Sequence, residues 1–238
     1  MTGRPYGIIC PVSLACEVLE PRWTIQILCE MWGGSSRFND IRRGVGSISP
    51  ALLSRRLKEM EALGLVERVK DRATGAIDYF RTARAKELEP ALLDLSRWAQ
   101  RNIDAEIAVR SPNVSTMMWA ARRNLRLEEL PARRVTMRFS FTDAPTGQPH
   151  YWIVAQPGAP VDLCVSNPGL DIDLFVETRM ASMAALILGR TTAVREIDSG
   201  RLFLSGDARL IRSIEHWFPR EDDYDIEGVL HVQQHAAP

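Results

Sequence analysis

The residues in this sequence best suited to doing chemistry are its arginines and lysines, and they gather in one stretch. Between residues 37 and 86 stand 12 basic residues (Arg37, Arg42, Arg43, Arg55, Arg56, Lys58, Arg68, Lys70, Arg72, Arg81, Arg84, Lys86) against 6 acidic ones. The whole chain has 30 of each sign, so this is a local basic field on a neutral protein, as a surface that meets phosphates requires. A lone arginine on a helix is ordinarily part of a solvated face, so the field gains meaning only from the elements that carry it. Other reactive types are sparse. Cys10, Cys16, Cys29 and Cys164 form no Cys-x-x-Cys pair and are too few for a disulfide framework or a structural zinc site. His231 and His235 have i, i+4 spacing, but no Glu or Cys completes a ligand set, and a tail is the expected reading. No Ser/His/Asp arrangement, glycine-rich phosphate loop or pair of carboxylates stands out. A non-enzyme without cofactor or metal is expected.

The basic stretch falls within a series of short helices and a hairpin. Val12, Ala15, Val18 and Leu19 recur at helical spacing, and Trp23, Ile27, Leu28 and Met31 do so after Pro21, until Gly33-Gly34 stops the pattern. Phe38, Ile41 and Val45 mark a third helix. Ser49-Pro50 supplies an N-cap and a proline at the first position of a fourth, running from about 50 to 63. Its positions Leu53, Leu57 and Met60 make one apolar stripe, leaving Ala51, Ser54, Arg55 and Lys58 on other faces. Alternation over Leu65 to Lys70, turn composition at Asp71 to Gly75 and a returning Ile77 to Arg81 predict a hairpin with a charged tip. A long helix is predicted from about 84 to 108, with an apolar seam of Leu88, Leu92, Leu95, Trp98 or Ala99, and Ile103 suited to a partner helix.

Ser111-Pro112-Asn113 breaks the chain, and 238 residues of globular composition suit two domains, 1–110 and 113–238. The second half alternates as strands. A helix over about 114 to 128 precedes strands at Val135 to Phe141, His150 to Ala155, Val161 to Val165 and Leu174 to Glu177, with an Asp143 to Gly147 turn after the first. An apolar helix from Met180 to Leu188, a short strand Leu202 to Leu204, and a helix capped by Asp207 complete an α+β domain. The longest apolar run, near Met183 to Leu188, is too short to span a membrane, and the N-terminus lacks a sustained apolar segment, so a cytoplasmic protein without membrane partners is expected.

Dispersed motifs add to this order of elements. Cys10-Pro11, Arg22-Trp23-Thr24, Arg37-Phe38-Asn39-Asp40-Ile41-Arg42, Ile48-Ser49, Leu52-Leu53-Ser54-Arg55-Arg56-Leu57, Glu61-Ala62-Leu63-Gly64-Leu65-Val66 and Tyr79-Phe80-Arg81-Thr82 together resemble the HxlR family of bacterial regulators over about residues 8 to 102. Two departures stand outside the fourth helix: Glu20-Pro21 where the family usually has Gly-Gly, and Arg81 at the Leu of its Tyr-x-Leu-Thr, which reads Tyr79-Phe80-Arg81-Thr82 here. The resemblance implies a winged helix-turn-helix that binds double-stranded DNA as a homodimer, with a recognition helix at about 49–63 in the major groove and a wing at about 65–81. It makes Arg37, Ser49, Pro50, Ala51, Ser54, Arg55, Arg56, Lys58 and Arg72 the DNA-binding candidates, with Arg55 and Arg56 able to reach base edges or phosphates. In some relatives a Cys-Pro near this point senses oxidants or electrophiles, which makes Cys10 a redox candidate, since a helix N-terminus favours a thiolate.

From about 113 to 225, Leu186-Ile187-Leu188-Gly189-Arg190, Ser199-Gly200-Arg201-Leu202 and Leu204-Ser205-Gly206-Asp207 resemble the sterol-carrier-protein-like fold, a mixed sheet with helices enclosing an apolar tunnel. That resemblance makes Met117, Met118, Trp119, Met180, Met183 and Ile187 the candidate lining for an apolar small-molecule effector, or else ordinary core. Three functions are therefore in view. The first is a transcriptional regulator controlled through its second domain. The second is a redox-sensing regulator acting through Cys10. The third is an apolar-ligand carrier whose winged helix binds protein.

Overall fold

The computed structural model describes residues 6–110, 112–144, 150–218 and 231–232. Ser111 of the expected break, Pro145 to Gly147 of the expected turn, and His235 lie outside them. The chain divides into two compact units, Met1–Leu93 and Asp94–Pro238, so the division falls upstream of Ser111-Pro112.

In the first unit α1 (Pro11–Leu19) and α2 (Thr24–Trp32) are joined by a turn in which the Thr24 hydroxyl donates to the Pro21 carbonyl at 2.7 Å. Trp23 takes a left-handed backbone there (φ 83°), a strained choice for a bulky residue, and the Arg22 guanidinium lies 4.8 Å from its ring centre. Next come α3 (Phe38–Val45) and α4 (Pro50–Ala62). The Ser49 side chain accepts from the Leu52 amide at 3.2 Å, satisfying an otherwise orphan helix donor. Gly44 packs directly against the buried Glu30 carboxylate, where any side chain would collide. The core joins Ile27 and Leu28 of α2, Ile41 of α3, and Leu53, Leu57 and Met60 of α4.

The hairpin pairs β1 (Val66–Lys70) with β2 (Ile77–Arg81) in antiparallel register, Val66 opposite Arg81 and Lys70 opposite Ile77. Its turn is held by Asp71, which accepts from the amides of Ala73 (2.7 Å) and Thr74 (3.2 Å) and is thereby kept below the usual carboxylate range. Ser36 and Arg37 tie the hairpin to the entry of α3: the Ser36 hydroxyl donates to Asp78 at 2.7 Å and Arg37 Nε lies 2.9 Å from the same carboxylate.

The single helix expected over 84 to 108 is instead three: α5 (Ala83–Lys86), α6 (Glu89–Asn102) and α7 (Ala105–Ala108). Pro90 explains the first break, since proline is tolerated in a first helical turn and disrupts a helix interior. Asp104 explains the second, its carboxylate accepting from the amides of Glu106 (2.9 Å) and Ile107 (3.2 Å) to restart the chain as α7. The seam keeps its character, with Leu95, Trp98 and Ile103 exposed.

The second unit continues with α8 (Val114–Asn124), β3 (Val135–Phe141), β4 (His150–Ala155), β5 (Asp162–Cys164), β6 (Leu174–Thr178), α9 (Met180–Ile187), α10 (Ala193–Asp198), β7 (Leu202–Gly206) and α11 (Ala208–Ser213). The expected 114 to 128 helix ends at Asn124, and a 3-10 turn follows at Leu127–Glu129. The sheet order is β5-β4-β3-β6-β7, with β3 and β6 parallel and the other neighbours antiparallel. Alternation buries one face, with Met137 and Phe139 of β3, Tyr151 and Ile153 of β4 and Val176 of β6 meeting Met118 of α8, Met183 of α9 and Leu210 of α11. Gly206 has φ 140° and lies against the Asp173 carbonyl, a close approach that admits no Cβ. Arg190, 3% exposed, donates to the carbonyls of Ile103 (3.1 Å) and Ala99 (3.2 Å), capping the C-terminal end of α6 from within the same unit.

Candidate nucleic-acid interface

Helical periodicity divides α4 into two faces. Leu53, Leu57 and Met60 are 0 to 1% exposed, whereas Ser49, Pro50, Ala51, Ser54, Arg55 and Lys58 face solvent. Six of the candidate residues thus lie at the N-cap and within the first nine residues of one helix, held by its buried stripe. Arg55 has 67% of its side chain exposed and only a loose approach to Glu59, at 3.9 Å.

Arg56 departs from expectation. Its side chain is 13% exposed and its guanidinium is ion-paired with Glu59, so it lies at the edge of the core stripe, less open to solvent than Arg55. The signal was present in the spacing: Arg56 stands three residues after Leu53 and four before Met60, whose faces are buried. Arg37 is 46% exposed and paired to Asp78, which fixes it at the junction of α3 and the hairpin. Arg72 is exposed at the hairpin turn. Arg42 and Arg43 on the last turn of α3 and Arg68 and Lys70 on β1 are also exposed, and extend the basic surface beyond the candidates named from sequence.

Cys10 is the N-cap residue of α1 and is half-buried. The backbone amides of Ser13 and Val12 at the helix N-terminus hold its thiol below its ordinary value. Cys16 and Cys164 are half-buried, Cys29 is exposed, and all four thiols are free. In the second unit Met117, Met118 and Met183 belong to the buried core, with Met180 and Ile187 packed against it. Trp119 is buried beneath the Arg122 guanidinium, 4.0 Å from its ring centre. Among the described residues no group of three or more His, Cys, Asp or Glu could hold a metal ion, and no helix is long and apolar enough to cross a membrane.

Three helices, a further helix exposing a basic face, and a paired hairpin with a basic tip form a winged helix-turn-helix. The family model for the HxlR-like helix-turn-helix matches residues 18–107. The chain is 37% identical over 98 residues to the HTH-type transcriptional regulator YvaP of Bacillus subtilis (strain 168), covering 40% of this chain and 91% of that protein. It is 33% identical over 103 residues to the HTH-type transcriptional regulator YybR of the same organism, covering 43% and 82%. Among solved structures it is similar to the redox regulator HypR in its oxidized form, at 32% identity over 40% of this chain and 99% of that one, with a TM-score of 0.37.

Proposed function

The chain belongs to the HxlR-like helix-turn-helix family of transcriptional regulators, and from that premise we propose that it binds a specific DNA duplex through α4 and the hairpin and regulates transcription in the cytoplasm. One observation carries the reading: α4 buries Leu53, Leu57 and Met60 while turning Ser49, Pro50, Ala51, Ser54, Arg55 and Lys58 to solvent at the end of a capped helix. Small residues at the helix N-terminus let the backbone approach a groove, and the exposed cations meet base edges and phosphates. Arg72 at the turn and Arg37 at the hairpin's base extend the contact to the backbone. Arg56 supports α4 through Glu59 and stands behind that surface.

Homodimerisation is part of the proposal. The exposed Val12 and Leu14 of α1, and the exposed Leu95, Trp98 and Ile103 of α6, are each apolar faces of the kind that a second copy covers. A dimer presents two recognition helices, so the operator should be a near-palindrome with half-sites about one or more helical turns apart. The C-terminal unit is read as a sterol-carrier-like effector domain for an apolar small molecule. Its mixed sheet under α8, α9 and α11 supports this, as do the methionines Met117, Met118, Met180 and Met183, which repack around irregular apolar shapes more readily than branched side chains. Trp119 and Ile187 complete the candidate lining.

The test is duplex selection from a random library with the full-length chain, followed by anisotropy titration of the selected duplex across a salt series. Affinity that falls steeply with salt and drops in Arg55→Ala supports the reading. Absence of any selected duplex overturns it and leaves the apolar-carrier function. A second reading, redox control through Cys10, is favoured by the lowered thiol at the N-terminus of α1. Loss of duplex binding on diamide treatment in the native protein but not in Cys10→Ser would establish it, and equal responses would remove it.

A further inference from the structure

The sheet of the C-terminal unit has a second face, turned away from its apolar core, and the chemistry there differs from anything the effector reading uses. Alternation places Arg138 and Ser140 of β3, His150 and Trp152 of β4, Phe175 and Glu177 of β6, and Phe203 of β7 on it. Arg138 stands opposite Trp152 on one side and Phe175 on the other, its guanidinium 5.9 Å from each ring centre.

The guanidinium is oriented by a relay. Arg138 Nη2 lies 3.1 Å from His150 Nε2, and His150 Nδ1 lies 3.0 Å from the Ser140 hydroxyl. Because Arg138 can only donate, Nε2 must accept, which fixes His150 as the neutral tautomer carrying its proton on Nδ1. Burial first and then the neighbouring Arg138 charge hold His150 below its ordinary value, so the neutral form is the stable one. The cation is therefore positioned by neutral groups alone. Among the described residues Arg138 makes no ion pair; Glu177 shares the face, two residues along β6 from Phe175 and opposite Phe203 on β7. A half-buried cation is normally paired with an opposite charge, and the polar partner of this one is a neutral imidazole, so an anion is the complement it lacks. Beside it lies apolar surface that water covers poorly: Phe175 is 42% exposed and Phe203 57%.

We propose that this open sheet face binds a small organic carboxylate with an apolar body, its carboxylate seated on Arg138 and its body lying across Phe175 and Phe203. A planar guanidinium suits a carboxylate, and the flanking rings suit a flat aromatic or short aliphatic group. The site lies on the side of the sheet opposite Met118 and Met183, so it is independent of an apolar effector among those residues and of DNA binding.

The experiment is calorimetric titration of the full-length chain with benzoate as the probe, against benzyl alcohol, which has the same ring without the charge, and acetate, which has the charge without the ring. Saturable binding of benzoate with at least about tenfold weaker binding of both controls is expected. Arg138→Met, in which the side chain still packs between the rings, should weaken benzoate by about tenfold or more, and Phe175→Ala by a smaller factor. Circular dichroism checks that Arg138→Met folds, and if it does not, Phe175→Ala decides, because that ring is exposed. No saturable benzoate binding, equal binding of benzyl alcohol or acetate, or benzoate affinity unchanged in the folded variants each overturns the proposal. Failure of duplex binding would leave it untouched, so its fate is separate from that of the regulator reading.

Discussion

The most exposed arginines of the first unit and the arginines that tie the second together do opposite work. In the first, Arg55 and Arg72 reach into solvent from a capped helix and a tight turn, with at most loose acidic company. In the second, Arg201 makes two contacts to the buried Glu196 (2.8 and 3.0 Å), Arg133 joins Asp173 and Asp207 (2.6 and 3.0 Å), and Arg190 caps a helix from within. The difference lies in the partners. A guanidinium whose fork is filled by carboxylates or carbonyls is a structural tie, and one whose fork is empty is available to a ligand. By that criterion the first unit divides its cations: Arg37, Arg56 and Arg81 are tied to Asp78, Glu59 and Glu89, while Arg55 and Arg72 stay open to a ligand. In the second, Arg138 departs from its neighbours.

The contrast breaks most visibly at Glu196. Burial pushes its carboxyl up, but hydrogen bonds from Arg201, Thr191 and Ser182 outweigh that and hold it low. Glu196→Ala leaves Arg201 without its partner and should cost about 3 kcal/mol of stability, read by urea unfolding monitored by tryptophan fluorescence. An unchanged midpoint would mean that the ties of the second unit are ornamental. Arg55→Ala tests the other side: specific duplex affinity should fall by about 1 to 3 kcal/mol, roughly tenfold or more, with the urea midpoint unmoved. Arg56→Ala should lower affinity less than Arg55→Ala, and the reverse ranking in an anisotropy titration would put the groove-facing side of α4 elsewhere.

Arg72→Ala is a smaller change. Loss of one phosphate contact should make the plot of log affinity against log salt shallower by about one unit, similarly for specific and unrelated duplexes. An unaltered slope would mean that the hairpin tip does not touch DNA. The smallest effect belongs to Asp207, the N-cap of α11. The Arg209 amide and then its guanidinium, with help from Arg133, hold its carboxyl at about 2, below the ordinary 3.8. A depressed carboxylate stabilises the fold fully above its unfolded value and loses that contribution as pH falls through its folded value. Asp207→Asn keeps a capping side chain and removes the charge. Its melting temperature should therefore lie slightly below that of the native chain at pH 7, and the gap should close between about pH 4 and pH 2. A gap that persists at pH 2 would assign the effect to the cap and not to the charge.

Local signals made much of the first unit legible. The Ser49-Pro50 start of α4, its stripe of Leu53, Leu57 and Met60, and the Asp71 to Gly75 turn all involve residues a few positions apart, where periodicity and capping act. The break of the long helix was legible too, in Pro90 and Asp104, but a continuous apolar seam outweighed them in a reading by periodicity. Arg56 shows the finer limit: its spacing from Leu53 and Met60 set its face, while its pairing with Glu59 decided which way the fork points.

The second unit divides differently between sequence and tertiary structure. Its strands were readable from alternation, because a strand with one buried face repeats every two residues whatever it pairs with. Which strands become neighbours is not a local property. β6 lies parallel to β3 across intervening β4 and β5, and that long-range pairing puts Phe175 beside Arg138 while the β3–β4 hairpin puts Trp152 and His150 on its other side. The sequence by itself thus determined the helices, the caps, the hairpin and the basic surface of the first unit, since these depend on contacts within a turn or two of the chain. Only the tertiary structure decided that Arg133 meets Asp173 and Asp207 while Arg138 meets a histidine and two aromatic rings, because those partners are brought together by the fold and not by the chain order.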